Sequence, residues 1–267
     1  MDTIFMAVFS VTSIGVACAV LLSIASKVLY VKVDERVAAI SNCLPGSNCG
    51  ACGYPGCAGY AEALIADSSI KTNLCTPGGA TVVSELSKIM GVEGGSVAKK
   101  LAVVHCLGDC DAQQIKMDYT GIQTCYAAVE VFGGQGACTY GCLGYGDCKN
   151  ACPSDAICIE GNLAKINANC TGCGICVKAC PNKIISIEEN LEAPIVMCNN
   201  HEKGAIIRKK CTKGCIACTR CVRECPVTAI VMEDNLAVID PTKCNNCGHC
   251  LEICMPKCIQ PVCVKGL

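Results

Sequence analysis

The sequence contains no Trp, only 3 Phe and 4% aromatic residues in total. Large rings usually dominate the buried surface of a globular core, so this chain needs another organising centre. The formal net charge is −1, from 22 basic and 23 acidic residues. This balance argues against nucleic acid as a partner. No G-x-G-x-x-G turn for a dinucleotide is present, and no flavin or substrate site is recognisable, so no catalytic residues are expected.

Cysteine is abundant instead, at 30 of 267 residues. Four cysteine-rich runs begin at Cys138, Cys170, Cys211 and Cys244, and the last three contain C-x2-C-x2-C-x3-C. This spacing is typical of bacterial ferredoxins, which hold cubane [4Fe-4S] clusters. Three thiolates two residues apart can wrap one face of a cubane only if the chain coils tightly around it. The runs therefore predict iron-sulfur clusters as the organising centres.

The fourth ligand of each cluster is predicted from pairing of the runs, because the last cysteine of a run ligates the other cluster in two-cluster ferredoxins. The predicted sets are Cys215, Cys218 and Cys221 with Cys254; Cys244, Cys247 and Cys250 with Cys225; Cys170, Cys173 and Cys176 with Cys152; and the irregular run, which contains Cys142 and Cys148, with Cys180.

Two other uses of cysteine are weaker alternatives. Four-cysteine zinc sites use separated C-x2-C pairs, whereas these triplets are dense and two of them end in Cys-Pro. A disulfide framework would need an oxidising compartment, and cysteines close together on a tight coil rarely offer disulfide geometry.

An internal repeat of 73 residues shows where one ligand is missing. Its matching positions are Cys125, Cys138, Cys142, Cys148 and Cys152 with Cys198, Cys211, Cys215, Cys221 and Cys225. Tyr145 stands where the repeat has Cys218, and a phenol is a poor substitute for a thiolate. We predict that Cys138 replaces the missing ligand and that Cys211 has no ligand role.

Three cysteines without regular spacing, Cys106, Cys110 and Cys125, leave the number of clusters open. They hold a further cluster if a fourth ligand arrives from Cys198 or another loop. Cys138 could be that fourth ligand, and it would then not replace the ligand missing at Tyr145. Otherwise they are buried free thiols. Five clusters are expected, or six with the extra set.

The first apolar segment, Ile4 to Ala25, is long enough to cross a bilayer as a helix. A cleaved signal peptide is less consistent, because no basic region precedes the segment. Lys27, Lys32 and Arg36 follow it, whereas Asp2 alone precedes it. The positive-inside rule therefore predicts a single-pass anchor in the cell membrane with the bulk of the chain in the cytoplasm.

A different spacing follows the anchor. Cys49, Cys52, Cys57 and Cys75 form C-x2-C-x4-C-x17-C with glycines interspersed. The glycines let the backbone approach sulfur and donate amides to it. This pattern predicts a small domain with one [4Fe-4S] cluster.

The order of these features resembles the B subunit of the Rnf complex, the ion-translocating ferredoxin:NAD oxidoreductase, in the long form of anaerobes. The resemblance is carried by a membrane helix, LPGSNCGACGYPGCAGYAEA with a later CTPGG, and paired ferredoxin motifs, and it covers essentially the whole chain. It implies an electron-transfer subunit of a translocase, with soluble ferredoxin as donor, NAD reduction on other subunits, and Na+ or H+ as the coupling ion.

The expected fold class is α+β, with a transmembrane helix, a single-cluster domain and a duplicated two-cluster ferredoxin. The expected boundaries are 1–27 for the anchor, 28–95 for a stalk and the single-cluster domain, 96–135 for a connecting segment, 136–195 for the first module and 196–267 for the second.

Two other functions remain open on the residues alone. One is a polyferredoxin subunit of another membrane oxidoreductase, and the other is an iron-sulfur sensor. A sensor needs one labile cluster rather than five. An oxidised cubane with four thiolates carries about −2, so a protein loaded with several clusters is acidic and its partners are expected to dock through basic patches.

Overall fold

The computed structural model describes residues 2–28, 34–96, 99–189 and 192–261. Its helices are α1 (Asp2–Val28), α2 (Glu35–Cys43), α3 (Gly56–Ala66), α4 (Gly79–Met90), α5 (Cys125–Glu130), α6 (Asp147–Asn150), α7 (Ile175–Ala179), α8 (Gly204–Lys210), α9 (Arg220–Arg223) and α10 (His249–Ile253). Its strands are β1 (Leu101–Val104), β2 (Ile157–Glu160), β3 (Leu163–Ile166), β4 (Ile185–Glu188), β5 (Ile195–Val196), β6 (Ile230–Glu233), β7 (Leu236–Ile239) and β8 (Ile259–Gln260).

Helix α1 contains the apolar segment, and its described side chains are exposed apart from the half-buried Ala25. By length and composition, the stretch Ile4–Val28 could cross a membrane, with a mean hydropathy of 2.3. Part of the predicted stalk, residues 29–33, lies outside the described residues. Helix α2 then begins at the Asp34 cap, whose carboxylate accepts a hydrogen bond from the Arg36 amide.

The single-cluster domain packs α2, α3 and α4 around one core that includes Ile40, Leu64 and Leu86. Tyr60 is 1% exposed in this core, and its hydroxyl donates a hydrogen bond of 2.7 Å to the carbonyl of Lys71. Burial raises the pKa of Tyr60 to about 12, so it stays a neutral donor. No other aromatic ring among the described residues is as deeply buried.

The rest of the described chain forms four antiparallel sheets of two strands, paired β1 with β4, β2 with β3, β5 with β8 and β6 with β7. The hairpins β2–β3 and β6–β7 have equivalent registers, with Glu160 opposite Leu163 and Glu233 opposite Leu236. The duplicated α+β fold is thereby confirmed, each half with its own core of aliphatic and cysteine side chains.

The pairing of β1 with β4 places residues 101–104 in the first half of the duplication, although sequence analysis assigned them to a connecting segment. Likewise, β5 pairs with β8, so the boundary expected after residue 195 falls inside a strand of the second half. We use "first module" for residues 99–189 and "second module" for residues 192–261.

Candidate iron-sulfur sites

Four loops, each joining cysteines of one triplet, share a backbone conformation that explains their tight coil. In each loop the residues on both sides of the middle position have positive φ. These pairs are Gly144 and Gly146, Gly172 and Gly174, Ala217 and Thr219, and Asn246 and Gly248. Left-handed residues at alternate positions turn the chain back on itself. The middle position holds Tyr145 in the first loop and cysteine in the other three, so Tyr145 occupies a ligand's place.

Cys125, rather than Cys138, packs in one cluster with Tyr145. It lines one cavity together with Cys142, Cys148 and Cys180. Burial, and after it the nearby Cys142, Cys125 and Cys180, raise the pKa of Cys148 to about 12. A cationic partner such as iron is therefore needed for the Cys148 thiol to lose its proton near neutral pH. The described lining of this cavity contains no carboxylate or imidazole, so thiolates are its only anionic donors.

Tyr145 packs directly beside this set. Its ring stands edge-on to the ring of Tyr119 with centroids 5.6 Å apart, and its hydroxyl is buried without a hydrogen-bond partner in the described structure. Burial raises its pKa, and Tyr119 and Cys125 add to the shift. A neutral phenol is a poor iron ligand, so Tyr145 serves as packing while α5 brings Cys125 to the cavity.

A second cavity lies where the two modules meet, and we call its cysteines the bridging set. They are Cys106, Cys138, Cys198 and Cys211. Burial raises the pKa of Cys106 to about 12 and that of Cys198 to about 11, with Cys138 among the neighbours that add to both shifts. Two of the four come from each module, so the set forms only when both modules are folded together.

The bridging set has matched contacts on its two sides. Cys106 follows β1 by two residues, and Cys198 follows β5 by two residues. The amide of Cys142 donates to Cys106 Sγ at 3.4 Å, and the amide of Cys215 donates to Cys198 Sγ at 3.3 Å. Asn200, which is 2% exposed, adds a side-chain hydrogen bond of 3.1 Å to Cys138 Sγ. The bridging set therefore touches a cysteine set of each module.

The prediction for Cys138 does not match this geometry. Cys138 was expected beside Cys142 and lines the bridging cavity instead, while Cys211, expected to have no role, lines it too. The open group of Cys106, Cys110 and Cys125 is divided, because Cys110 is exposed and Cys125 joins the first-module set. The repeat matches Cys138 with Cys211, each four residues before the first cysteine of its loop, and this match was the signal that the two thiols share one site.

The three regular sets come together in the pairings that the motifs predict. Cys170, Cys173 and Cys152 lie near Cys176; Cys215, Cys218 and Cys254 near Cys221; and Cys244, Cys247 and Cys225 near Cys250. Burial, followed by these neighbours, raises the pKa of Cys176 to about 12 and those of Cys221 and Cys250 to about 11. Cys218 and Cys247 are exposed, so both second-module sets reach the surface.

The cysteines of the small domain also converge. Burial raises the pKa of Cys75, and Cys57, Cys52 and Cys49 are near enough to add to the shift. The side chain of Asn48 fixes the loop by accepting a hydrogen bond of 2.8 Å from the Cys57 amide. Cys49 is also among the neighbours that raise the pKa of Cys173, after burial. This proximity puts the small domain beside the first module.

Several remaining side chains have structural roles. His105 joins the modules, since its Nδ1 lies 2.9 Å from the carbonyl of Val196 and its Nε2 lies 2.7 Å from Ser186 Oγ. Cys158 lies on β2 against Glu160 and Lys165. Cys258 is buried, with its Sγ 3.6 Å from Cys254 Sγ. Cys263 lies outside the described residues.

The donor chemistry of these sets fits iron-sulfur clusters, whose irons are held by cysteine thiolates. Every cysteine among the residues that the structure describes is free. Backbone amides also point at sulfur, as from Ala156 to Cys152 and from Ala229 to Cys225, both 3.3 Å.

Three family profiles match the chain in the same places. Residues 44–77 match the family described as "Putative Fe-S cluster". Residues 164–186 match the "4Fe-4S binding domain", and residues 206–255 match the "4Fe-4S dicluster domain". These matches support [4Fe-4S] clusters as the cofactors.

Curated relatives match over nearly the full length. The B subunit of the Na(+)-translocating ferredoxin:NAD(+) oxidoreductase complex of Acetobacterium woodii is 42% identical, over 90% of this chain and 72% of its own. The B subunit of the proton-translocating ferredoxin:NAD(+) oxidoreductase complex of Clostridium ljungdahlii is 39% identical, over 97% of this chain and 91% of its own length. The B subunit of the ion-translocating oxidoreductase complex of Methanosarcina acetivorans is 37% identical, over 92% of this chain and 94% of its own length. The chain therefore belongs to the family of B subunits of ion-translocating ferredoxin:NAD(+) oxidoreductase complexes, as its motifs predicted.

Proposed function

We propose that this chain is the electron-transfer subunit of a membrane ion pump, accepting electrons from reduced ferredoxin and relaying them toward NAD reduction on other subunits. The names of the relatives support the reaction. The observation that carries the relay is the bridging set, which contacts a cysteine set of each module through the Cys142 and Cys215 amides. Without the bridging set, no cysteine set would connect the clusters of the two modules.

Six sets of four cysteines would hold the clusters. They are Cys49, Cys52, Cys57 and Cys75; Cys152, Cys170, Cys173 and Cys176; Cys125, Cys142, Cys148 and Cys180; Cys106, Cys138, Cys198 and Cys211; Cys215, Cys218, Cys221 and Cys254; and Cys225, Cys244, Cys247 and Cys250. When bound, a [4Fe-4S] cluster supplies one-electron redox chemistry, with a potential set by hydrogen bonds to sulfur and by burial.

Contacts between neighbouring sets support a linear order. Cys49 of the small domain lies near Cys173, and Cys176 lies near Cys148 in the first module. The bridging set follows through Cys106, and Cys198 leads to Cys215 in the second module. One end of the line thus lies in the domain that follows the membrane helix in sequence, and the other lies in the second module, where Cys218 and Cys247 are exposed.

Three features would place this relay at the cytoplasmic face. Helix α1 is apolar enough to span a membrane, Lys27 lies in its last turn, and Arg36 follows it. The cytoplasm also keeps thiols reduced for cluster assembly. We assign residues 2–28 as the anchor, 34–96 as the single-cluster domain, and the two modules as defined above. The other subunits of the complex would then meet the membrane-proximal end.

Reduction by ferredoxin tests the proposal. The full-length chain, purified anaerobically in detergent, should lose visible cluster absorbance when reduced ferredoxin is added, and NAD alone should not reoxidise it. Reoxidation by NAD should require membranes that contain the other subunits. A chain that dithionite reduces but ferredoxin does not would contradict the assignment.

Removal of residues 2–28 tests the anchor separately. The truncated chain should remain coloured and become soluble, because no cysteine of the six sets lies in that segment. Retention in membranes that lack the other subunits would contradict the anchor assignment.

A further inference from the structure

The second module carries an unusual concentration of positive charge. Residues 203–223 contain seven Lys and Arg and no Asp or Glu, in a chain whose formal net charge is −1. We call this stretch the basic segment. The segment that matches it in the repeat, residues 130–150, contains Glu130, Asp147 and Lys149. The two modules therefore differ by about eight formal charges over the same stretch of fold.

Most of this charge is unneutralised at the surface. Lys210 pairs with Glu202 at 2.6 Å, and Lys213 pairs with Asp109 at 2.7 Å. The other five side chains are exposed and form no ion pair with a described carboxylate; they are Lys203, Arg208, Lys209, Arg220 and Arg223.

Both halves of the basic segment meet the loop that carries Cys218. Helix α8 begins against this loop, since a Cβ atom on Gly204 would overlap the carbonyl oxygen of Ile216. Arg220 lines the same cavity as Cys218, and Cys218 is exposed. Ile206, which is 42% exposed, adds an apolar contact surface on α8. The positive charge thus surrounds the place where one end of the line of sets reaches solvent.

Compensation of cluster charge does not explain the segment. A cluster with four thiolates carries about −2, and the first module holds two cysteine sets as the second does. If the positive charge served to balance the clusters, the first module would need it as well, but its matching segment has one Lys and two acidic residues. The positive charge is therefore specific to this segment of the second module. Charge complementarity raises association rates and selects partners, particularly for short-lived complexes.

Building on the proposed function, we propose that the basic segment is the docking surface for an acidic electron-carrier protein, which delivers electrons at the Cys218 end. The overall acidity of a loaded chain predicts partners with basic patches, but this surface is itself basic, so its partner is acidic. An acidic protein is favoured over a membrane or a nucleic acid because the charge lies around an exposed cysteine of a cluster set, where a redox partner must come close. Arg208 and Arg220 are then positioning residues that hold the carrier near Cys218.

The test compares charge reversal in the two modules. The pair Arg208→Glu and Lys209→Glu changes the basic segment, and the matched pair Lys149→Glu and Lys178→Glu makes the same change in charge on exposed positions of the first module. Each full-length variant is reduced anaerobically by an acidic ferredoxin in a stopped-flow instrument over a range of salt. Dithionite reduction and iron content report whether the clusters are intact.

At low salt, reversal in the basic segment should slow reduction by ferredoxin by about tenfold or more. The control pair should stay within about twofold of the wild type on the same scale. Salt should slow the wild type toward the rate of the reversed variant, because screening removes the attraction. Dithionite reduction should be equal in all three proteins.

Equal rates and equal salt dependence for wild type and reversed variant would overturn the docking surface. Equal slowing by the control pair would overturn it as well, by showing an effect of net charge alone. Loss of binding to vesicles of anionic lipid, with the ferredoxin rate unchanged, would assign the segment to a membrane surface instead. A wild type that ferredoxin fails to reduce, but dithionite reduces, would overturn the proposed function and docking with it.

Discussion

The first and second modules repeat each other, yet they assign equivalent cysteines to different sets. Cys125 and Cys198 match in the repeat, but Cys125 joins Cys142, Cys148 and Cys180, whereas Cys198 joins the bridging set. The difference accompanies a change at one position. The first module has Tyr145 where the second has Cys218, and it places Cys125 in the cavity with Cys142, Cys148 and Cys180. In the proposed assignment, Cys125 completes that set.

This comparison shows how a bridging set can arise from duplicated domains. The second module has a full complement without Cys198, which leaves that thiol for the boundary between modules. The first module supplies Cys106 at the corresponding place, after β1, and donates the Cys142 amide as the second module donates that of Cys215. A matched pair, Cys138 and Cys211, completes the set. The bridging set is thus symmetric between the modules, with Cys106 and Cys138 from the first and Cys198 and Cys211 from the second.

Breaking the bridging set should give the largest effect. Cys211→Ser should remove about four irons per chain at cubane stoichiometry and disconnect the first module from electrons delivered to the second. In membranes with the other subunits, ferredoxin-dependent NAD reduction should fall to background. Cys110→Ser is the control, because Cys110 is exposed and outside all six sets. Iron loss of similar size in both variants would contradict the special role of Cys211.

Moving the ligand in the first module should give the next largest effect. Cys125→Ser should lose about four irons, and adding Tyr145→Cys should restore them, because the loop around position 145 has the same left-handed pair as the loop around Cys218. The double variant would make the first module resemble the second. Restored iron with a visible spectrum like that of the wild type is the expected readout. A double variant as iron-poor as Cys125→Ser would mean that residue 145 cannot face the cluster.

Regular spacing let the sequence predict the fold class, and the apolar run at Ile4 to Ala25 predicted a helix long enough to cross a membrane. The predicted pairing of the three regular sets agrees with the neighbours of Cys176, Cys221 and Cys250. Spacing alone could not predict the bridging set, because Cys106 and Cys211 are 105 residues apart in sequence. Strand pairing brings them together, β1 with β4 in one module and β5 with β8 in the other. The site of Cys125 was difficult to predict for the same reason, because only the position of α5 brings this residue to the loop that contains Tyr145.

A smaller effect is expected from Cys258, which has no counterpart thiol in the first module. Its place is taken there by Ile184, and both residues are 2% exposed. Their carbonyls accept equivalent hydrogen bonds of 2.7 Å, from Met197 and His105 respectively. The Cys258 thiol can donate to the Cys254 ligand at 3.6 Å, which favours the more negative reduced state of the cluster.

The exchange of these two residues sharpens the comparison. Cys258→Ile should move one cluster of the second module to a more negative potential, and Ile184→Cys should move one of the first module to a less negative potential. Redox titration followed by electron paramagnetic resonance measures both shifts. If iron content and potentials were both unchanged, Cys258 would have only a packing role and the predicted effect on potential would be wrong.

The central claim, that six sets of four cysteines form one connected line, is tested most directly by the iron and acid-labile sulfide content of the anaerobically purified full-length chain. The account predicts about 24 of each per chain, and about 20 in the Cys211→Ser variant, on cubane stoichiometry. A wild-type value of about 20 that does not change in Cys211→Ser would contradict it, because the bridging set would then hold no cluster.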